Sequence, residues 1–312
     1  MKMTKKKAAI GVAIIIALVA IWSVMKPAPA EAAEMKVYGS LNYMISNNEN
    51  ASGVATSKAE NNGSSIGVDL TSNLSEGIDG FAKLEVEIDA DDSGSTPFDS
   101  KLAYAGIDMG DKGVLSAGRQ DSVFKGAVTS KTDVFPEFGG SAAQKLFSRD
   151  SHTVAYSNSL GAIQIDNLVK VDGATGKSGV DVYETAASMD LTDSLNIGVA
   201  YTDDKVNSIE YKGAGVTFDL TDETSIGYSH TIKSVESTSL DTKANEVVAS
   251  HTIGATTFSA GYGEIVDGNK YTTFGAEKKI GENFSAYAGY EMTDKPTGVD
   301  TTNMAAGIKF TF

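Results

Sequence analysis

Few residues of this chain have types and spacings that could support chemistry. The segment DADDSGS at residues 89–95 offers closely spaced carboxylates, which are oxygen ligands of the kind that Ca²⁺ binds. A calcium loop of the EF-hand type would need a glutamate at its twelfth position, which here is Ser100, and helices on both sides. The pattern therefore favours an acidic surface loop over a metal site.

Catalysis, cofactor binding and nucleic-acid binding find no support in the sequence. Three histidines, His152, His230 and His251, are scattered along the chain, and there is no Gly-x-Ser-x-Gly or His-Glu-x-x-His motif. The absence of cysteine excludes disulfides and thiolate metal sites. The net charge of −15 argues against a nucleic-acid partner, because phosphate binding needs clustered bases. The sequence predicts no enzyme, no cofactor and no bound metal.

The remaining candidate is the segment DVFPEFGG at residues 133–140. It lies within residues 121–148, which lack the regular alternation of the surrounding sequence, and it carries two acids, Asp133 and Glu137. The only two arginines of the chain, Arg119 and Arg149, flank this stretch. Long irregular loops are often functional. The alternative is an ordinary surface loop with two solvated carboxylates.

The elements that must hold this loop are short alternating segments. Near the carboxyl terminus Ala306, Ile308 and Phe310 share one face, while Gly307 and Lys309 share the other. Because strand residues alternate between faces, each such segment predicts a strand with one apolar and one polar side. Sixteen are predicted, at 35–46, 62–73, 79–90, 99–109, 112–120, 149–158, 161–171, 180–190, 194–204, 208–220, 223–233, 244–253, 255–264, 269–280, 282–292 and 302–312.

Two all-β architectures can use sixteen such strands. A soluble sandwich or propeller would turn the apolar faces inward, whereas a membrane barrel turns them to lipid and surrounds water with the polar faces. The apolar faces contain many Ala and Gly, which would fill a core poorly, and aromatic residues cluster at strand ends. Short turns such as 109–113 contrast with longer predicted loops at 47–61 and 264–270. We expect a transmembrane antiparallel β-barrel.

The first 33 residues have a separate pattern. Lysines 2, 5, 6 and 7 precede the apolar run 8–25, and small residues follow around 30–33. This order predicts a secretory signal peptide at 1–33, with the barrel at 34–312. An uncleaved anchor is the alternative, since the apolar run is close to the length of a short membrane span.

Four segments carry a family resemblance: VYGSLNY at 37–43, the stretch 100–120, DVFPEFGG at 133–140, and the terminal GIKFTF. Together they resemble the general diffusion porins of the Gram-negative outer membrane, which are trimers of sixteen-stranded barrels. The resemblance implies that the loop at about 121–148 is the third extracellular loop and folds into the lumen, where it narrows the pore. It also implies that Phe310 and Phe312 belong to an assembly signal at the carboxyl terminus.

The resemblance assigns roles within the loop. Asp133 and Glu137 would form the acidic side of the constriction. The other residues assigned to the loop would pack it against the wall or turn its backbone: Phe135, Pro136, Phe138, Gly139 and Gly140. A sixteen-stranded barrel is too wide to discriminate small solutes by itself, so an inward loop gives it a constriction lined by fixed charges.

The family lines the facing wall with bases, and here the set is reduced. Alternation places Arg149 on the polar face of Thr153, and Lys101 out of phase with Leu102, so both are predicted to face the lumen. Serines stand where bases are typical, at Ser40 and Ser65. Further acids are expected in the lumen, at Asp69, Glu85 and Glu87. This balance predicts cation selectivity that weakens at high salt.

Alternation places Arg119 in phase with Leu115 and Ala117, so it is predicted on the outer face or at a subunit interface, in an ion pair. Other expectations follow from the resemblance. The expected partners are two further copies of the chain, outer-membrane lipid and lipopolysaccharide, the barrel-assembly machinery, and small hydrophilic solutes and cations. The expected location is the outer membrane of a Gram-negative bacterium, reached through the periplasm. A substrate-selective channel is the main alternative, followed by a barrel enzyme or adhesin.

Overall fold

A closed antiparallel β-barrel accounts for almost all of the residues that the structure describes. The computed structural model describes residues 33–91, 97–173, 179–238 and 240–312. The predicted signal peptide at 1–33 lies, except for Ala33, outside the described residues. The strands are β1 (Glu34–Glu49), β2 (Ala55–Asn61), β3 (Ser65–Ser75), β4 (Ile78–Ile88), β5 (Phe98–Asp108), β6 (Val114–Asp121), β7 (Arg149–Leu160), β8 (Ile163–Lys170), β9 (Val182–Thr192), β10 (Leu195–Asp204), β11 (Ile209–Thr221), β12 (Thr224–Val235), β13 (Leu240–Ile253), β14 (Thr256–Ile265), β15 (Lys270–Lys279), β16 (Phe284–Asp294) and β17 (Thr301–Thr311).

Apart from β2 and β3, each strand pairs with the next in antiparallel register, and β1 pairs with β17 to close the sheet. Both β2 and β3 pair with β1, at Tyr43–Glu49 and Glu34–Ser40 respectively. They are therefore two halves of one barrel strand, interrupted at residues 62–64. The prediction of sixteen barrel strands is confirmed.

The apolar face of the sheet points outward. In β1 the side chains of Val37, Leu41 and Ile45 are exposed, whereas Asn42 and Ser46 on the alternate face are buried inside. A soluble sandwich or propeller would show the reverse, so that alternative is wrong. Among the described residues, no helix is long and apolar enough to cross a membrane.

The loops depart from the prediction at two places. Residues 47–61 were expected to form a long loop, but β1 and β2 continue as a paired hairpin with a turn at only 50–54. The predicted loop at 264–270 is likewise a short turn between β14 and β15. The outward positions of β2 are small or polar residues, namely Ala55, Ser57, Ala59 and Asn61, so alternation of hydrophobicity could not reveal this strand.

Candidate functional site: the loop inside the barrel

The loop at residues 122–148 leaves β6, folds into the barrel and returns at β7. Its root is closed by the backbone N–H of Ser122, which donates to the Ser148 carbonyl at 2.9 Å. It begins with a short helix, α1 (Val123–Ala127), and a 3₁₀ turn at Thr129–Thr132. Phe124 and Val128 are almost fully buried against the inward-facing Ala186, Ala200 and Tyr211 of β9–β11. The loop is thus packed on the lumen wall, as the resemblance implied.

A track of glycines on the wall makes room for the loop. A Cβ at Gly213 would lie 2.7 Å from the Phe124 ring, and one at Gly261 would lie 2.7 Å from the Phe135 ring, closer than real Cβ atoms come. The wall glycines at which an added Cβ would lie within 3.0 Å of the loop are Gly198, Gly213, Gly215, Gly227 and Gly261, and at Gly263, Gly275 and Gly289 it would lie 3.1 Å from the loop. They lie on β10, β11, β12, β14, β15 and β16. A larger residue at the first five positions would force the loop or the wall to shift.

Three buried glutamates on the barrel wall accept hydrogen bonds from the loop. Glu184 on β9 is fully buried and accepts from Ser122 Oγ at 2.8 Å and from the Val123 N–H at 3.1 Å. These contacts satisfy donors at the start of α1, which an isolated helix would leave unpaired.

The other two glutamates bind the middle and the far part of the loop. Glu246 on β13 accepts from Thr132 Oγ1 at 3.0 Å and from the Ala142 N–H at 3.1 Å. Glu291 on β16 accepts from the Gly139 N–H at 3.2 Å and from Ser141 Oγ at 3.0 Å. Since buried polar groups are costly when unpaired, the three carboxylates fasten the loop along its length.

The loop tip reaches the break between β2 and β3. Asn62 Nδ2 donates to Glu137 Oε2 at 2.6 Å and to the Tyr287 hydroxyl at 2.8 Å. Tyr287 in turn donates to Asn42 Oδ1 at 2.8 Å. Gly63, with φ +69°, turns the backbone at this break. The interruption of the barrel strand is therefore the point at which the wall holds the tip.

The two predicted loop acids have different environments. Asp133 is exposed, and its carboxylate has no ion pair with a described residue. Glu137 is half-buried, and this desolvation raises its pKa above the usual range of a glutamate, opposed by the hydrogen bond from Asn62. Loss of solvent also lowers the pKa of the nearby loop base Lys131, which donates to Asn196.

The predicted packing and turn residues of the loop meet the wall in three places. Phe135 and Pro136 lie against Gly275, and Phe138 packs with Met44, Tyr287 and Ala305. Phe138, Gly139 and Gly140 have positive φ of 65°, 80° and 67°. The two glycines reach this conformation without strain, whereas Phe138 is held in it by its packing.

On β3–β5 the lumen wall carries bases that are paired with acids. Lys101 lies 2.7 Å from Glu85, which also accepts from the Tyr38 hydroxyl at 3.1 Å. Lys83 lies 3.0 Å from Asp69 and 4.6 Å from the centre of the Tyr38 ring. Each base therefore has its charge largely offset by a neighbouring carboxylate.

Lys101 faces the lumen for a different reason from the one predicted. The register places Leu102 opposite Glu85, on the lumen side, and Leu102 is buried. The sequence argument had assumed that Leu102 points outward, and that assumption is wrong. A β-bulge in the β4–β5 pairing leaves Lys101 as the extra residue, so the alternation restarts there.

Arg149 lies at the root of the loop, where the register pairs it with Asp121 and pairs Asp150 with the buried Gln120. The prediction that Arg149 shares the face of Thr153 by alternation is wrong, because a β-bulge at residues 151–152 shifts the phase. The Nε of Arg149 is 3.5 Å from Asp121, which is also 3.5 Å from Lys125 of α1. Arg119 donates to the Ser100 carbonyl at 2.9 Å and to Ser151 Oγ at 3.3 Å. Within the described parts of the chain, no carboxylate lies within ion-pair distance of Arg119, so the predicted ion pair is not formed inside one subunit.

The remaining predicted lumen residues lie on the inner face. Ser65 is buried and stands opposite both Ser40 and Glu87 in the register. At the carboxyl terminus, Phe312 exchanges two backbone hydrogen bonds with Gly39, at 3.0 and 3.1 Å, and its ring lies 6.4 Å from that of Phe310. Both rings are partly exposed on the barrel surface. Their role as an assembly signal stays a prediction.

Three cavities at the loop-bearing rim are strongly acidic. Their volumes are 640, 330 and 400 Å³, and each is lined by at least four carboxylates. Only Lys58 and Lys170 line them among the bases. Within the described ranges no group of three or more His, Cys, Asp or Glu has the geometry of a metal site.

Sequence reasoning missed the three glutamates, the glycine track and Asn62. The glutamates and glycines occupy the polar phase of successive strands, and some are directly paired, as Gly198 with Gly215 and Gly275 with Gly289. A search for small residues at matched heights on the lumen phase would have found the track. Asn62 gives no such signal, because it lies in an irregular break.

Comparison with known proteins identifies similar chains. A family model described as Gram-negative porin matches residues 15–298. No curated protein sequence matches significantly. An anion-selective porin from Comamonas acidovorans superposes with a TM-score of 0.76 at 16% identity, covering 90% of this chain and 100% of the other. OmpF of Salmonella typhi, in complex with daunomycin, gives 0.77 at 17% identity, with 92% and 100% covered. OmpT of Vibrio cholerae, in a trimer form, gives 0.72 at 16%, with 90% and 100% covered.

Proposed function

The chain belongs to the Gram-negative porin family, and from that premise we propose that it is a general diffusion channel with a preference for cations. The family and the closed barrel are those of a passive outer-membrane channel. The finer question is the sign and strength of its selectivity. The fold does not decide this, since one similar structure is an anion-selective porin.

The observation that carries the proposal is the unequal pairing of lumen charges. Lys83 and Lys101 each lie within 3.0 Å of a carboxylate, so they contribute little net positive field. Asp133 is exposed without such a partner among the described residues, and Glu137 is bound by a neutral amide. An excess of one sign in a narrow, low-dielectric lumen raises the local concentration of counter-ions.

The rim supports the same sign. Its three acidic cavities would draw cations towards the loop-bearing mouth before they reach the constriction. Such attraction is screened as the Debye length falls from about 10 Å at 0.1 M salt to about 3 Å at 1 M. We therefore expect cation preference to decline with ionic strength.

The test is the zero-current potential in a planar bilayer under a tenfold KCl gradient. We expect a potential of the cation-selective sign, reduced in a variant with both Asp133→Asn and Glu137→Gln. Asp111→Asn, in a turn at the far end of the barrel, is the matched control and should change nothing. Open channels that prefer anions would contradict the proposed cation preference but would still support the channel function.

A substrate-selective channel is the second candidate, and competition of single-channel current by added solutes would reveal it. The rim acids and the narrow lumen are compatible with both functions. A dose-dependent block by one solute class, absent for others of equal size, would favour the selective channel. A similar effect of all solutes of equal size on the single-channel current would favour general diffusion.

We also propose that the chain assembles as a homotrimer. The similar Vibrio OmpT exists in a trimer form, and Arg119 has no intrasubunit carboxylate within ion-pair distance in the described chain. An acid of a neighbouring subunit would satisfy it. Arg119→Ala should then lower the temperature at which the oligomer dissociates in detergent. The signal peptide, lipopolysaccharide contact and assembly by the outer-membrane machinery remain predictions of the same kind.

A further inference from the structure

A groove of 590 Å³ lies on the outer wall of the barrel, across β13–β16. Its floor is made of small residues, among them Ala260, Ala276 and Ala288. Phe258 bounds one side, and the pair Phe274 and Tyr290, with ring centres 6.4 Å apart, bounds the other. These side chains occupy the outward phase of their strands, so in a membrane protein the groove opens to lipid.

The basic side chains near the groove lie at one of its ends. His251 stands beside Phe258 in the register, and its Nδ1 is 2.8 Å from Thr224 Oγ1, which leaves Nε2 without a partner from this contact. Lys278 lies on the same outward face, two residues beyond Ala276 and opposite Ala286. Thr224 begins β12 directly after a short turn, so this end is the one opposite the loop-bearing rim.

We propose that this groove binds a glycerophospholipid of the periplasmic leaflet. One acyl chain lies on the alanine floor between Phe258 and the Phe274–Tyr290 pair, and the phosphate meets Lys278 and His251. The assignment to that leaflet rests on the proposed orientation of the barrel. It goes beyond the channel function, which needs no bound lipid.

The charge and the shape of the groove together favour a phospholipid as its occupant. Acyl chains gain nothing from leaving other lipid, so a retained lipid needs close van der Waals packing, which a concave floor between aromatic walls provides. A lysine near the interface extends its amine to the headgroup region, where phosphate is the available anion. A detergent-like apolar molecule would use the floor without needing Lys278.

Native mass spectrometry of the detergent-solubilised oligomer tests the proposal, with palmitoyl-oleoyl phosphatidylglycerol as the probe. We expect one retained lipid per subunit in the unaltered chain. Ala288→Phe fills the floor and should weaken retention by about tenfold or more. Lys278→Gln removes one phosphate partner and should weaken it by about fivefold.

Two substitutions on the same outer surface, but away from the groove, are matched controls. Ala214→Phe adds the same bulk on β11, and Lys212→Gln removes an outward lysine near the other end of the barrel. Both should retain lipid as the unaltered chain does. Equal retention in Ala288→Phe would overturn the proposal, as would dissociation of the oligomer by that variant, which would make the groove a subunit contact.

Photolabelling gives a second measurement that needs no variant. Phosphatidylglycerol with a diazirine in its acyl chain should label peptides containing Phe258, Phe274 or Tyr290 in excess over other outward-facing peptides. Uniform labelling around the barrel would overturn the proposal. Single-channel conductance should be the same with and without bound lipid, so loss of lipid binding is distinguishable from loss of the channel.

Discussion

The lumen wall has two stretches with opposite designs. Along β9–β16 it lies close to the loop, with glycines at many points of contact and glutamates buried beneath the loop. Along β3–β5 it carries long charged side chains in pairs, such as Lys101 with Glu85. The first stretch holds a structure in place, while the second shapes the electric field through which ions pass.

The same residue type therefore serves two purposes. Glu184, Glu246 and Glu291 accept hydrogen bonds from the loop and are at most 5% exposed, so they are unavailable to ions. Asp133, in contrast, is exposed. Counting lumen carboxylates without regard to their partners would overestimate the charge that a permeating ion meets. The comparison can be tested by altering each stretch and measuring whether loop position or ion selectivity changes.

The largest effect is expected from crowding the glycine track. In Gly227→Val the new side chain would overlap the Lys131 carbonyl and approach Val248. Overpacking of this kind costs about 1–3 kcal/mol, and the loop can avoid it by leaving the wall. We expect a larger single-channel conductance, because the constriction widens, together with greater proteolytic cleavage between residues 122 and 148.

Gly281→Val is the control for that substitution. Gly281 lies in a turn between β15 and β16, with no atom within 4 Å of an added Cβ. Conductance and cleavage should remain unchanged there. If Gly227→Val also leaves conductance and cleavage unchanged, the glycine track does not hold the loop against the wall. The contrast between the two stretches of wall would then be wrong.

The next effect concerns the buried glutamates. Glu291→Ala leaves the Gly139 N–H, Ser141 Oγ and the buried Thr273 Oγ1 without their acceptor. A buried group left unpaired costs about 1–3 kcal/mol. We expect faster hydrogen exchange of the Gly139 amide and more frequent closures of the open channel. Glu291→Gln keeps one acceptor oxygen and should recover part of the protection.

Glu277 is the matched control for Glu291. It faces the lumen on the adjacent strand and accepts from Ser285 at 2.7 Å. Glu277→Ala should therefore leave exchange at Gly139 unaltered. Equal loss of protection in both variants would mean that the wall, and not a specific latch, had been weakened.

Most of the architecture could be predicted from the sequence. The side chains of a barrel strand alternate between its two faces, and this alternation can be read within one strand without knowing which strands it pairs with. Sixteen barrel strands and the inward loop follow from such local patterns and from the family resemblance. Alternation fails where the backbone departs from a regular strand. The bulge beside Lys101 and the break at residues 62–64 both shift the phase, and neither carries a strong local signal.

The fastening of the loop could not be predicted, for a related reason. The contact between Asn62 and Glu137 joins residues 75 positions apart, and that between Gly139 and Glu291 joins residues 152 apart. Their pairing depends on how far the loop reaches across the lumen, which no strand pattern encodes. Sequence reasoning located the acids of the loop but not which of them is held by the wall.

A smaller effect is expected from the charge pairs on β3–β5. Lys101→Gln leaves Glu85 without its base, and an unpaired charge attracts a cation at 4 Å by roughly 1–4 kcal/mol for effective dielectric constants of about 80 to 20. The zero-current potential should shift further towards cation selectivity, while loop protection stays unchanged. Lys212→Gln, on the outer face, should shift nothing. A shift towards anions would contradict the pairing.

The smallest effect is expected in the pH dependence of loop stability and of ion selectivity, which both involve Glu137. Burial raises the pKa of Glu137 above its ordinary value, so this carboxyl becomes neutral on acidification before typical exposed carboxyls do. Because the seated form then binds the proton more tightly than the released form, the seated loop gains stability as the pH falls through the interval between the ordinary and the raised pKa. Cation preference should fall over the same interval as the charge is lost, and Glu137→Gln should abolish this early step in the reversal potential. An unchanged pH profile in Glu137→Gln would mean that the half-buried tip carboxylate contributes no field to the pore, and that selectivity arises from Asp133 and the rim alone.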